Sequence, residues 1–252
     1  YTSCGGDCDD TMADVNPGMI EDPTDGIDND CDGTIDESPY CNPWDPVDAI
    51  GAVKTFDVNY PMFGTDTETV TVMPATTFNS QDVFHVNSEA ATIGVEFDYY
   101  IACDYANNQL VKYGMDATIP QYGSLTEMEV GGRVMLPAYA DVMTGYTWNE
   151  SLVVQYSVMS QALDLDVVVN YEIVGEEVIT VPAGTYTAMH VAASFTMTDQ
   201  MGMLQQPITG TYDQWLVEDI GIIRFYYEWT NPLNKYAYET LFTKEMASVT
   251  MP

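Results

Sequence analysis

Basic residues are nearly missing from this chain. Six lysines and arginines stand against 39 aspartates and glutamates, a net charge of −33, and the first 50 residues hold 14 acidic side chains and no basic one. A surface of that sign cannot neutralise phosphates, which excludes nucleic acid as a partner, and anionic lipid headgroups repel it. Long apolar runs are missing too. Nothing approaches the roughly 18 uninterrupted apolar residues of a membrane-spanning helix, so no direct membrane insertion is expected. No leader peptide is visible, and a chain that starts at Tyr1 rather than methionine reads as a processed form.

Histidine is scarce as well, and catalytic constellations go with it. His85 and His190 are the only two, and each alternates within an apolar stretch, Val83-Phe84-His85-Val86 and Met189-His190-Val191. A side chain on a sheet face explains them better than a general base does. Glu176-Glu177 and the pair Asp164 and Asp166 sit at hairpin ends, as solvated turns rather than glycosidase acids. Gly131-Gly132 lacks the lysine and helix of a phosphate cradle. We read the chain as non-enzymatic.

What is present is concentrated near the start, in Asp25-Gly26-Ile27-Asp28-Asn29-Asp30-Cys31-Asp32-Gly33-Thr34-Ile35-Asp36. Asp28, Asp30 and Asp32 take positions 1, 3 and 5 of an Asp-x-Asp-x-Asp-Gly loop, Gly33 makes the sharp turn at position 6, and Thr34 offers a carbonyl at 7. Ile35 anchors the loop, and Asp36 and Glu37 close the shell, with Asp25 at the head of the run. Ca2+ needs six or more oxygens, and alternating carboxylates around a tight turn supply them from few residues. The loop is not an EF-hand. Position 12 falls on Pro39, and no amphipathic helix flanks it.

Cys4-Gly5-Gly6-Asp7-Cys8-Asp9-Asp10-Thr11, then Val15-Asn16-Pro17-Gly18, then the run from Asp25 to Glu37, resembles the secreted metal-binding repeat of MopE-type bacterial surface proteins over residues 4–37. That family normally has a cysteine where this chain has Thr24, so its disulfide arrangement does not transfer intact. The resemblance implies an extracellular, bacterial-type protein with a calcium-type module, and places Asp7, Asp9 and Asp10 in a second oxygen-rich site beside the first. Copper, which the family name suggests, prefers imidazole or sulfur, and the segment has no histidine. Calcium held here also relieves self-repulsion, so stability should depend on metal.

The five cysteines leave their pairing open. A module of about 40 residues has too little core to fold unaided, so one bridge within Cys4, Cys8 and Cys31 is expected beside the metal. Cys41 and Cys103 are the candidate tie to the main domain, and the cysteine left over is available to another chain. A thiolate zinc site would want C-x-x-C pairs, which are missing.

We divide the chain into an acidic module (1–40), a short proline-rich linker (41–52) and a β domain (53–252). In the last, Phe56, Val58 and Tyr60 alternate with polar residues, as do Val95, Phe97, Tyr99 and Ile101, and Leu165, Val167, Val169, Tyr171 and Ile173. Turn signals recur at Asn107-Asn108, Gly114, Gly131-Gly132, Gly145, Gly175, Pro182-Ala183-Gly184, Gly202, Gly210, Gly221 and Asn231-Pro232. These predict an all-β fold of about twelve or thirteen antiparallel strands, as a β-sandwich or a curved, partly closed barrel. Val178-Ile179-Thr180-Val181-Pro182-Ala183-Gly184-Thr185-Tyr186, followed by Trp215 and Gly221-Ile222-Ile223-Arg224, is similar to a two-hairpin pattern of secreted bacterial β-proteins of unknown function. That likeness supports the sheet and implies no catalytic residue.

Fifteen methionines and eighteen tyrosines suit adaptable sheet packing or subunit contacts. With few lysines to guard strand edges, residues 247–252 are a candidate strand for a neighbouring copy. The reading that follows is a secreted or cell-surface structural protein stabilised by calcium and assembling as a homo-oligomer or polymer: filament, sheath or surface layer. The alternatives are a carrier of a small apolar ligand or lipid, and an adhesin that presents the β domain to carbohydrate, with Trp44, Trp148, Trp215 and Trp229 as ring platforms.

Overall fold

Side chains that alternate apolar and polar demand one dry and one wet sheet face, and the computed structural model of the chain meets that demand by rolling the sheet up. The structure describes residues 8–9, 11–12, 15–16, 26–29, 31, 33, 35, 41–61, 63–104, 107, 109–120, 123–158, 161–199, 207–230 and 238–251. Among these are twelve strands: β1 (Val53–Tyr60), β2 (Gly64–Phe78), β3 (Gln81–Ala90), β4 (Val95–Asp104), β5 (Gln109–Ile119), β6 (Gly123–Leu136), β7 (Thr147–Val158), β8 (Gln161–Val181), β9 (Gly184–Asp199), β10 (Ile208–Val217), β11 (Gly221–Thr230) and β12 (Tyr238–Thr250). A 3-10 turn at Tyr139–Asp141 is the helical piece among the described residues.

Each strand pairs antiparallel with the next, and β12 returns to pair with β1. Of the two architectures left open by the alternation, the sandwich does not form, and the barrel is closed rather than partly closed. Closure also corrects the expectation for the C-terminal residues. Ser248, Val249 and Thr250 are already opposite Thr55, Lys54 and Val53 of β1, so they are not available to a neighbour.

Phe56, Val58, Leu165, Val167, Val169, Tyr171 and Ile173 are buried, as their alternation requires, while Asp57, Asn59, Asp166, Asn170 and Glu172 are exposed. Aromatic rings fill much of the interior. Trp148 stacks on Tyr171 at 4.4 Å, Tyr212 on Tyr227 at 6.2 Å and Tyr227 on Phe242 at 5.8 Å.

Several glycines expected in turns, Gly114, Gly131, Gly132, Gly175 and Gly210, lie inside strands instead. Closing a barrel requires local bends, and bulges supply them. At Gly175, with φ +140°, the pairing slips, and the tip of the β8–β9 hairpin turns in over the barrel end. There the Ala183 N–H donates to the Met246 carbonyl at 2.9 Å, and Arg224 donates to the Thr180 carbonyl at 2.9 Å.

Residues 41–52 also pack against the barrel. A disulfide joins Cys41 to Cys103 at the end of β4. Asn42, fully buried, donates to the Pro137 carbonyl at 3.0 Å, and Pro43 accepts from the Asp219 N–H at 2.7 Å. Lys54 lies beneath this strap with its Nζ 3.8 Å from Asp45 Oδ1.

The scarce cations are drawn inward. Lys112 Nζ sits 2.6 Å from Glu127 and 3.1 Å from Glu129, while Arg133 Nε holds the other oxygen of Glu129 at 2.9 Å and its guanidinium donates to the Tyr171 hydroxyl at 2.9 Å. Burial alone would lower the Lys112 ammonium, but the two glutamates outweigh it and hold its pKa above the ordinary value. Nearer β12, Lys244 donates to Glu68 Oε1 at 2.9 Å, Ser88 to the same oxygen at 2.7 Å, and Tyr60 to Oε2 at 2.9 Å. Burial would raise the Glu68 carboxyl. The Lys244 charge and these hydrogen bonds outweigh that and keep it below its usual 4.5.

A carboxylate depressed in this way stabilises the fold above its unfolded pKa, and the stabilisation disappears as pH falls through the lower, folded value. Glu68→Gln leaves Lys244 buried without its counter-charge, and denaturant unfolding at pH 7 should show a loss of about 3–5 kcal/mol. The gap between the variant and the parent protein should narrow as pH falls through the depressed Glu68 pKa, below the ordinary carboxyl range; a gap that persists unchanged into acid would contradict the assignment.

Candidate metal centre

The described residues of the N-terminal module lie in turns, bends and irregular chain rather than in strands. Gly26 (φ +76°), Cys31 (φ +61°) and Gly33 (φ +101°) take the left-handed conformation, so the chain reverses tightly within a few residues. A disulfide joins Cys8 to Cys31. The Asn16 N–H donates to the Asn29 carbonyl at 2.8 Å, which ties the two halves together, and Val15 is buried at 1 % exposure. In so short a segment these are the elements that a missing hydrophobic core would otherwise supply.

Within the loop, the Gly33 N–H donates to Asp28 Oδ2 at 3.0 Å. Positions 1 and 6 of the expected calcium loop are therefore in contact, and the sharp turn at Gly33 aims the first carboxylate into the loop. Asp9 is engaged locally: its Oδ1 accepts from the Thr11 hydroxyl at 2.5 Å and from the Thr11 N–H at 2.9 Å, and these two bonds hold its carboxyl below the ordinary value. Asp7, Asp10, Asp25, Asp30, Asp32, Thr34, Asp36 and Glu37, the other expected ligands, lie outside the described residues. Among the described residues no group of three or more histidine, cysteine, aspartate or glutamate side chains is placed to hold a metal.

The donor chemistry is one-sided. With Cys8 and Cys31 joined in a disulfide, neither is a thiolate ligand, and both histidines belong to barrel strands, β3 and β9. Apart from the Met12 thioether, the donors among the described residues of the module are carboxylate, hydroxyl and carbonyl oxygen, which suit hard cations better than copper, and Cys4 lies outside the described residues.

Both histidines occupy the outer wall, on the sheet faces expected for them. His85 Nε2 is 2.6 Å from Asp98 and its ring stacks on Tyr100. His190 Nε2 is 2.8 Å from Asp213, its ring stacks on Trp215 at 4.5 Å, and Glu177 Oε1 is 2.8 Å from Nδ1 but poorly aligned for a hydrogen bond.

Comparisons with known proteins match two separate stretches of the chain. The family model described as "Putative metal-binding motif", of the MopE type, matches residues 7–37, so the module carries that motif. A second model, "DUF3108-like", matches residues 126–231, within β6 to β11. No curated protein sequence matches the chain. A structure titled "putative lipoprotein" from Parabacteroides distasonis is similar at 14 % identity and a TM-score of 0.50, covering 84 % of this chain and 98 % of its own. A "putative exported protein with YmcC-like fold" from Bacteroides fragilis is 12 % identical with a TM-score of 0.47, at 80 % and 96 % coverage. The "hypothetical lipoprotein YmcC" from Escherichia coli is 10 % identical with a TM-score of 0.36, at 82 % and 88 % coverage. The first of these likenesses is to the barrel fold.

Opening the Cys8–Cys31 bridge, which spans 23 positions, should cost the module about 2–4 kcal/mol. In a Cys8→Ser, Cys31→Ser protein, amide exchange at Val15 and Asn16 should lose protection while the barrel amides keep theirs. Equal protection in both proteins would show that the bridge does not hold the module together.

Proposed function

We propose that this chain is an extracellular or cell-surface structural protein of bacterial type, in which calcium fixes the acidic module and copies associate as a homo-oligomer or polymer. The observation that carries the reading is the contact of Asp28 with the Gly33 N–H inside a segment matched by a metal-binding family model. Asp28, Asp30, Asp32, Thr34, Asp36 and Glu37 are the ligands of the first ion, with Asp25, and Asp7, Asp9 and Asp10 border a second. Calcium suits the oxygen donor set, and outside cells it is abundant enough to fill weak sites.

Two disulfides support an oxidising compartment, and the similarly folded Parabacteroides distasonis protein is titled a "putative lipoprotein". The outer wall carries Asp57, Asn59, Asp166, Asn170 and Glu172 in exposed positions, unlike the continuous apolar band of a membrane barrel. Closure leaves assembly chiefly to the barrel walls and the module, because the terminal strands β1 and β12 are paired with each other. Repulsion between copies of net charge −33 is then the barrier, and divalent cations lower it. The reading is non-catalytic, with both histidines held on the wall against carboxylates and rings. A lipid carrier is less favoured, since core clusters and stacked rings occupy the interior.

Calorimetric melting and electron microscopy in calcium and in chelator test the proposal. At a hundredfold excess over Kd, calcium should contribute about 2.7 kcal/mol, a rise of roughly 5–10 °C, with ordered particles that disperse on chelation. Asp28→Asn should abolish most of the rise. Identical melting and identical particles in chelator would sink the reading.

A further inference from the structure

One ion pair in this barrel is unlike the others. Lys112 and Lys244 reach their carboxylates at 2.6 and 2.9 Å, the lengths of charge-assisted hydrogen bonds. Lys54 Nζ lies 3.8 Å from Asp45 Oδ1, beyond hydrogen-bond range, although the two side chains are only 8 % and 13 % exposed. Burial acts on the two groups in opposite senses. It pulls the Lys54 ammonium below its ordinary pKa and pushes the Asp45 carboxyl above its own, and their mutual attraction does not make up the difference. At Lys112 the glutamates win that contest. An ammonium facing a carboxylate is inert, whereas a neutral amine facing an un-ionised carboxyl has a lone pair to attack with and a hydroxyl to displace.

Both backbones are held in place. Lys54 is paired on either side, opposite Val249 of β12 and Val70 of β2. In the strap, the Asp45 N–H donates to the Asn42 carbonyl at 3.1 Å, and the Asp45 carbonyl accepts from the Val47 N–H at 2.8 Å. Gly221 closes the space beneath the two side chains: a Cβ there would come within 2.6 Å of Asp45 Oδ1 and 2.7 Å of Lys54 Nζ. Two reacting groups fixed in this way need no encounter.

A third carboxyl lies close enough for the Asp45 charge to act on it. Asp48 Oδ2 accepts the Cys41 N–H at 2.8 Å, its Oδ1 is buried with no hydrogen-bond partner, and burial first and Asp45 second raise its pKa.

We propose that Lys54 and Asp45 are the site of an intramolecular amide crosslink that fastens the strap to β1. Lys54 Nζ attacks Asp45 Cγ, the N–C bond forms, the bond from Cγ to the hydroxyl breaks, and one water leaves. Asp48 lends its proton to the departing hydroxyl and recovers one from the nitrogen, so no oxidant, reductant or activating group is consumed. The crosslink is independent of the metal reading, since neither residue belongs to the module.

The intact mass of the full chain, reduced and denatured, reads the bond directly, because an amide survives both treatments. The parent chain should weigh one water less than its sequence requires. Trypsin should then leave residues 1–112 as one fragment, since Lys54 is the only basic residue before Lys112 and an acylated lysine is not cut. Lys54→Arg and Asp45→Ala should each return the full sequence mass, with cleavage after position 54 restored. Asp48→Asn keeps an oxygen for the Cys41 N–H but cannot pass a proton, and should leave a mixture of linked and unlinked chains. A parent chain at full mass that is cut after Lys54 would overturn the proposal, as would loss of the same water from Lys54→Arg, which would place the dehydration elsewhere. Complete linkage in Asp48→Asn would overturn the step assigned to Asp48.

Discussion

Pairing of a few cations with buried carboxylates is the interaction on which the rest of this barrel depends. Lys112, Arg133 and Lys244 sit inside the wall against Glu127, Glu129 and Glu68, and Lys54 faces Asp45 beneath the strap. Arg224 is paired with Glu245 on the outside. Every basic residue described is thus committed to a carboxylate, and the sixth, Lys235, lies outside the described residues. A buried carboxylate without such a partner would carry a large desolvation penalty. The exterior is consequently left with strong negative charge.

Closure is the second constraint, and it follows from pairing β12 with β1. Pairing β12 with β1 leaves neither terminal strand as a free edge, which reduces the need for lysine gatekeepers in a protein that has few lysines. Its cost is curvature, taken up at bulges such as those beside Gly175 and Gly131–Gly132. One of these folds a hairpin over the barrel end. The other ends the pairing of β6 with β7.

The strap is held to the barrel by the Cys41–Cys103 bridge and by the approach of Asp45 to Lys54. The bridge therefore fixes where the acidic module leaves the barrel.

Much of this was legible in the chain. Alternation named the buried faces of β1, β4 and β8 because a strand's side-chain period is two whatever the sheet does globally. The Asp-x-Asp-x-Asp-Gly spacing named the loop because its geometry is local, and the contact of Asp28 with Gly33 joins residues only five apart in sequence. Glycine was misread where it lies inside strands, since a bulge and a turn ask for the same residue and only the neighbouring strand distinguishes them. The choice of barrel over sandwich and the inward placement of Lys112, Arg133 and Lys244 were not legible, because each joins residues far apart in sequence. Local chemistry determined the strands, the loop and the charge; the register that closes β12 on β1 decided which of those charges met inside and where the wall came apart.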